Sequence, residues 1–92
     1  MTTVVYERSA QLLEAELGQE LLALDPQQGL CFGFNEVAAE VWRLLATPRS
    51  VGELQSDLLD RFEVGSEQCG AELQQLLDDL EARGLVRKQA QG

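Results

Sequence analysis

Few residues in this chain are suited to catalysis, and they are widely spaced. It has no histidine, so the commonest general base is absent, and its two cysteines, Cys31 and Cys69, are too far apart for a CxxC pair. We expect both thiols to be free, because a disulfide requires a close geometry that nothing in the sequence indicates. Asp78 and Asp79 are neighbours on a predicted helix and point about 100° apart, which disfavours a shared carboxylate pair. Without a nucleophile or phosphate-loop motif, the sequence predicts no enzyme activity, metal or cofactor.

The charge of the chain limits the classes of partner. It has 92 residues with 16 acidic and 7 basic side chains, for a net charge of −9. This charge repels nucleic-acid phosphates and anionic membranes. The chain has no apolar run of about 18 residues and no signal-peptide pattern, so we expect a cytoplasmic protein. We predict one domain over residues 1–92, with an ordered core at about 10–87 and frayed ends at Met1 to Thr3 and Gln89 to Gly92.

The first third of the chain predicts three antiparallel strands, which are Gln11–Leu17, Glu20–Asp25 and Leu30–Phe34. The first two flank Gly18-Gln19, and glycine at the first position of a two-residue loop is typical of a type II′ hairpin. The segment Asp25-Pro26-Gln27-Gln28-Gly29 predicts the second turn. The three strands therefore form a meander with the second strand in the middle.

The alternation in the first predicted strand separates two faces. Leu13, Ala15 and Leu17 share one face, and Glu14 and Glu16 point to the other. This period of two indicates a half-buried strand.

The rest of the chain predicts three amphipathic helices. Asn35 is suited to cap the first helix, and Ser50 with Glu53 forms a capping box for the second. Ser66 is the expected cap of the third helix, and Gly84 is suited to its left-handed end. The predicted fold class is α+β, an N-terminal three-stranded antiparallel meander followed by three helices, like a winged helix-turn-helix.

The third predicted strand leaves an unprotected sheet edge. Edge strands are usually guarded by charges, as Glu14 and Glu16 guard the first strand, but Leu30–Phe34 carries no charge. Its free backbone groups are available to an added strand, and Gly33 allows a close approach. The protein's own third helix or amino terminus, or a dimer mate, can cover the same edge, and the sequence leaves this alternative open.

The third helix is the expected second wall of a groove beside this edge. Its core stripe centres near Leu73, and one flank, with Cys69, Glu72, Leu76 and Asp79, mixes apolar and acidic character. The acidity of this helix disfavours DNA as a ligand, because a recognition helix offers basic or amide side chains to bases and phosphates.

Several segments, taken in order, resemble the PqqD family, the pyrroloquinoline quinone biosynthesis protein D family. They are Leu22-Leu24-Asp25 through Phe34-Asn35, Val41 to Leu45, Ser50 to Leu54, Leu58 to Phe62 and Leu73 to Val86. The resemblance runs from about Leu12 to Val86. Its most specific parts are the aromatic strand that leads into Asn35 and the ending Leu76 to Val86.

The resemblance implies that the chain binds the leader segment of a ribosomally synthesised precursor peptide. In this family the leader adds as a strand beside the third strand, against the third helix, and the core peptide is presented to a separate modifying enzyme. Carried over by position, the peptide-binding residues are Leu30, Cys31, Phe32, Gly33 and Phe34 on the strand, and Cys69, Glu72, Leu73, Leu76 and Asp79 on the helix.

The resemblance leaves the enzyme partner open among a leader protease, a cyclase and a radical-SAM enzyme, and slightly favours a lasso-peptide pathway over quinone-cofactor synthesis. A second hypothesis also remains open. The same edge strand can serve a structural or regulatory homodimer that has no peptide client.

Overall fold

The computed structural model describes residues 3–63 and 65–91 as six strands and three helices. The strands are β1 Thr3–Arg8, β2 Leu13–Leu17, β3 Glu20–Asp25, β4 Leu30–Phe34, β5 Arg49–Ser50 and β6 Val86–Gln91. The helices are α1 Glu36–Leu44, α2 Val51–Arg61 and α3 Ser66–Ala82. The strands form two antiparallel sheets, ordered β2-β3-β4 and β5-β1-β6. The α+β class, the meander and the three helices are confirmed.

Both turns of the meander have the predicted backbone. Gly18 has a φ of +67° and Gly29 a φ of +69°, whereas no described residue other than glycine has a positive φ. The negative φ at Gln19 fits the type II′ turn, in which only the first central residue is left-handed. Asp25 is buried, and its carboxylate accepts hydrogen bonds from the backbone N–H groups of Gln27 and Gln28 in the second turn. The turns thereby fix the register of all three strands.

The glutamates of β2, and not its leucines, face the protein. Leu13 and Leu17 are exposed, while Glu14 and Glu16 lie on the inner face and contact α1. The carboxylate of Glu14 accepts a hydrogen bond from the indole of Trp42, which is itself buried. The period of two is therefore correct, but β2 is exposed along its whole length and not half-buried. Its glutamates face the protein because the buried indole beneath the strand requires a polar partner.

The chain ends form the second sheet, which the expected ordered core of 10–87 did not include. β1 lies between β5 and β6, and its pairing with β6 runs from Thr3 with Gln91 to Arg8 with Val86. Thr3 and Gln89 to Gln91, for which the sequence predicts fraying, are paired residues of these two strands. Met1, Thr2 and Gly92 lie outside the described residues, as does Val64.

The helices begin mostly where capping residues predict. The side chain of Asn35 caps α1, and Ser50 with Glu53 forms the complete capping box of α2. The N-cap of α3 is Gly65, without a side-chain cap, and not Ser66, which is already the first residue of the helix. The local sequence therefore identifies two of the three starts.

The end of α3 is a Schellman motif. Gly84 has a φ of +76° and donates its N–H to the carbonyl of Glu81, while Leu85 donates to the carbonyl of Leu80. This pattern confirms the left-handed role predicted for Gly84. It turns the chain directly from α3 into β6, and Leu85 is completely buried at the turn.

Trp42 joins the two sheets through the core. The guanidinium of Arg8 on β1 lies 4.3 Å from the centroid of its rings, and Arg8 Nε donates to its carbonyl oxygen at 3.1 Å. On the opposite sheet, Glu14 Oε2 accepts from Trp42 Nε1 at 3.0 Å. Burial lowers the pKa of Arg8, and the charge of Glu14 partly offsets this effect. Among the helices described, none is long and apolar enough to span a membrane.

Candidate functional site

One edge of the meander is open. Within residues 3–63 and 65–91, β4 pairs only with β3. The two-residue hairpin loop sets the hydrogen-bonding register, in which Leu22 turns its backbone groups towards β2 and Ala23 turns its own towards β4. Because Phe32 is the partner of Ala23, the N–H and C=O groups of Cys31 and Gly33 point away from β3. These outward groups form a row of donors and acceptors.

A cavity of about 350 Å³ lies beside this edge, between β4 and α3. The strand side and the start of α1 contribute Cys31, Phe32, Gly33, Phe34, Asn35 and Ala38, and the helix side contributes Leu76, Asp79, Leu80 and Arg83. We call this cavity the β4–α3 groove.

The groove has an apolar floor and a polar rim. Phe34 is buried and packs on Trp42, with their ring centroids 5.7 Å apart. Leu76 is half-buried beside it on α3. The rim carries Asp79 and Arg83, both exposed and of opposite charge. The arrangement suits a ligand with apolar side chains on one side and backbone polar groups at its edge.

The structure brings some of the predicted site residues together and separates others. Cys31 to Phe34, Leu76 and Asp79 all line the β4–α3 groove, and Leu30 stands exposed at the start of the strand. Cys69 and Leu73 do not line it, because both are buried in the hydrophobic core.

Glu72 shows that the amino-terminal half of α3 lies away from the β4–α3 groove. Glu72 is exposed and lines a separate small cavity with Val37 and Phe62, under the amino-terminal half of the helix. The core stripe therefore runs through Cys69 and Leu73, and only the carboxyl-terminal half of α3 faces β4.

Sequence reasoning missed four residues of the groove, namely Asn35, Ala38, Leu80 and Arg83. Helical spacing was the available signal for one of them. Arg83 follows Asp79 by four positions and Leu76 by seven, so the three lie on one face of the helix. Asn35 was recognised only as a cap, and its side chain does accept from the Ala38 N–H at 2.9 Å.

The two cysteines differ in exposure. Cys31 is exposed and Cys69 is buried, and both thiols are free, as expected. Among the described residues, no group of three or more cysteine, aspartate and glutamate side chains is placed to hold a metal ion.

Comparison with known proteins identifies the family of this chain. The family model for PqqD, described as coenzyme PQQ synthesis protein D, matches residues 20–86. The chain belongs to the PqqD family. The match includes β4 and α3 and so both walls of the groove, whereas β1 and β2 precede it. A search of curated proteins found no significant match.

A solved structure has a similar fold over most of both chains. It is TbiB1 in complex with the TbiA(beta) leader peptide, with a TM-score of 0.77 and 22% sequence identity. The similarity covers 88% of this chain and 94% of TbiB1. At this identity the comparison establishes a common fold, which this PqqD-family chain retains although most of its residues differ.

Proposed function

We propose that this protein binds the leader segment of a ribosomally synthesised precursor peptide, which adds as a strand to the open edge of β4 and packs against α3. The observation that carries the proposal is the outward row of backbone groups at Cys31 and Gly33, next to a groove walled by the helix. Main-chain hydrogen bonds supply affinity in such strand addition, and pockets for alternate side chains supply specificity.

The open edge of β4 and the groove beside it favour an extended ligand. An added strand lies about 4.8 Å from its neighbour, and its side chains alternate between the two faces of the sheet. Every second side chain of the peptide then enters the groove over Phe34 and Leu76, where apolar groups are preferred. The remaining side chains lie on the opposite face, beside Cys31 and Gly33.

The comparisons support the same proposal. The chain is a member of the PqqD family, and TbiB1, which shares its fold, has been solved with a leader peptide. The uncharged sequence of Leu30–Phe34 adds an independent reason, because an edge strand without charges is unusual unless another strand covers it.

The proposed role is to hold and present the peptide, without catalysis. The chain lacks histidine, and the charged side chains at the groove are one carboxylate, that of Asp79, and one guanidinium, that of Arg83, around an apolar floor. A separate enzyme, such as a leader protease, a cyclase or a radical-SAM enzyme, then acts on the presented peptide. A lasso-peptide pathway is the preferred context.

A proline substitution tests strand addition directly. Gly33→Pro removes an outward N–H while leaving the β3–β4 hydrogen bonds in place, so the fold is retained. The probe is a labelled leader peptide from the precursor encoded beside this chain, titrated by fluorescence anisotropy. We expect a loss of affinity of about fivefold or more, since an unmade hydrogen bond costs about 1–3 kcal/mol.

The matched control is Glu16→Pro. By the same register, Glu16 directs its N–H outward from β2, at the other edge of the same sheet. Leader affinity is expected to stay within about twofold of the parent protein, a difference below about 0.5 kcal/mol. Equal losses in both variants, or unchanged binding by Gly33→Pro, would contradict strand addition at β4.

The homodimer hypothesis is separated by sedimentation. If two copies pair through β4, the chain alone is a dimer at micromolar concentration, and the leader neither dissociates nor occupies it. A monomer that forms a one-to-one complex with the leader supports the proposed function instead.

A further inference from the structure

The face of the meander that points away from the helices is apolar and uncovered. Leu13 is 62% exposed, Leu17 59%, Leu22 42% and Leu24 40%. These side chains belong to β2 and β3, while the residues that alternate with them face the protein. We call this surface, formed by Leu13, Ala15, Leu17, Leu22, Leu24, Cys31 and Gly33, the outer face.

The strand register gives the outer face a defined relief. Leu22 stands between Ala15 and Gly33, its partners on the two neighbouring strands. Leu22 therefore projects as a single large side chain between two small ones. With its neighbours Leu13, Leu17 and Leu24 it forms one contiguous exposed apolar patch, which marks an interaction site more often than scattered single leucines do.

The size of the outer face argues against a second copy of this chain as its occupant. Strands of five residues at about 3.4 Å per residue, in three rows about 4.8 Å apart, give an area of roughly 240 Å². A stable interface buries about 800 Å² on each partner. Alone, the outer face therefore suits a transient contact and is too small for a stable dimer.

The net charge of the chain also argues against a second copy as the occupant of the outer face. Two copies would each bring a net charge of −9, and the charged side chain that alternates onto this face is Glu20, at the hairpin end. Like charges repel on approach, whereas a partner with basic residues around an apolar patch is attracted. The occupant is therefore expected to differ from this chain and to be basic at its rim.

We propose that the outer face docks the enzyme that acts on the bound precursor peptide, through an apolar patch surrounded by basic side chains. This inference rests on the proposed function. β4 links the two surfaces, because Cys31 and Gly33 belong to the outer face and also direct their backbone groups to the peptide edge. An enzyme seated there is one strand away from the leader, and transient contact permits release after each turnover.

The test uses Leu22→Lys and Leu13→Lys, two substitutions on different strands of the outer face. Both side chains point to solvent, so the fold is retained, and the new charge opposes a basic partner. The matched control is Leu59→Lys, because Leu59 is an exposed leucine on α2, at 36%. The probe is the peptide-processing enzyme encoded beside this chain, measured by biolayer interferometry and by the KM for the chain–leader complex.

We expect both outer-face variants to bind the leader as tightly as the parent protein, and to weaken enzyme binding and raise KM at least tenfold. Leu59→Lys leaves all three quantities unchanged. Enzyme binding that survives both outer-face substitutions overturns the proposal, as does a dimer of the chain alone that either substitution dissociates. Enzyme binding is also measured without the leader peptide. If the chain then binds the enzyme but does not bind the leader, the proposed function is refuted while the docking surface is supported.

Discussion

The guanidinium of Arg83 lies 5.9 Å from the centroid of the Phe32 ring. Arg83 is the C-cap of α3 and Phe32 belongs to β4, so this contact joins the two walls of the β4–α3 groove. A cation over an aromatic face at an exposed site contributes about 0.5–1 kcal/mol. The contact therefore influences both the width of the groove and the stability of the fold.

Substitution of Arg83 by alanine is expected to weaken leader binding by a few-fold to about tenfold, which corresponds to at most about 1.4 kcal/mol. The reason is that the helix wall loses its contact with β4 and the rim loses the hydrophobic stem of the side chain. Leader affinity is measured by fluorescence anisotropy, and the free energy of unfolding by urea denaturation.

The control for Arg83→Ala is Arg87→Ala. Arg87 lies on β6, outside the groove, and its Nε donates to Glu7 Oε1 at 2.7 Å. Its loss removes one arginine charge and one exposed ion pair, which contributes at most about 1 kcal/mol to stability. If the two variants lose the same affinity, net charge and not the position of Arg83 is responsible.

Glu14 is expected to be more important for stability than its exposed strand suggests. Glu14→Ala leaves the buried indole N–H of Trp42 without its acceptor, which costs about 1–3 kcal/mol. Glu14→Gln keeps an acceptor oxygen and is expected to cost less. Trp42 is the single tryptophan, so its fluorescence follows urea unfolding directly.

Glu16→Ala is the matched control for this substitution. Glu16 lies on the same inner face of β2, but its partner Arg43 Nη2, at 3.3 Å, forms an exposed ion pair. Such a pair contributes about 0–1 kcal/mol. Equal destabilisation by Glu14→Ala and Glu16→Ala would show that the indole hydrogen bond carries no particular weight.

The β2 strand shows why the sequence predicts secondary-structure elements better than the tertiary contacts of their two faces. The alternation of Leu13 to Leu17 correctly indicates a strand, because the period of two is a local property. Which face is buried depends on Trp42, which lies 28 positions after its partner Glu14. The caps of α1 and α2 were predictable for the same reason as the strand, since their partners lie within three residues.

The pairing of the termini and the position of α3 beside the groove could not be predicted from local sequence either, because both depend on residues that are distant along the chain. β1 pairs with β6 through residues such as Val5 and Gln89, and the polar sequence of β6 does not identify a strand without its partner. In the groove, the edge at β4 follows from local sequence, whereas the rotation of α3 is set by its packing on α2 and β6. The sequence alone therefore does not separate Cys69 and Leu73, which are buried in the core, from the residues of the wall.

The capping box of α2 predicts a defined pH dependence. The pKa of Glu53 is lowered from its ordinary value, mainly because the Ser50 backbone N–H donates to its carboxylate at 2.9 Å, and the Ser50 hydroxyl acts in the same direction. A lowered folded-state pKa stabilises the protein above the unfolded-state pKa, and this stabilisation is lost as the pH falls through the folded value. The affected range lies below about pH 4.5.

Glu53→Gln is therefore expected to lower stability at pH 7 and to lose less stability than the parent protein on acidification. Urea denaturation followed by Trp42 fluorescence between pH 7 and about pH 3 measures the slope of stability against pH. The control is Glu63→Gln, which removes the same charge from the exposed segment before α3. A parent-like slope in Glu53→Gln, or equal flattening in both variants, would refute the role of the capping box.

Two glycines near the groove are expected to respond oppositely to alanine. Gly84 has a φ of +76°, where a side chain strains the backbone even though no atom lies within 4 Å of an added Cβ. Gly33 also has free space around an added Cβ, and its φ is outside the left-handed range. We expect Gly84→Ala to cost about 1 kcal/mol of unfolding free energy and Gly33→Ala to change it little. Urea denaturation gives both values, and comparable losses would show that the edge of β4 is under a constraint other than backbone conformation.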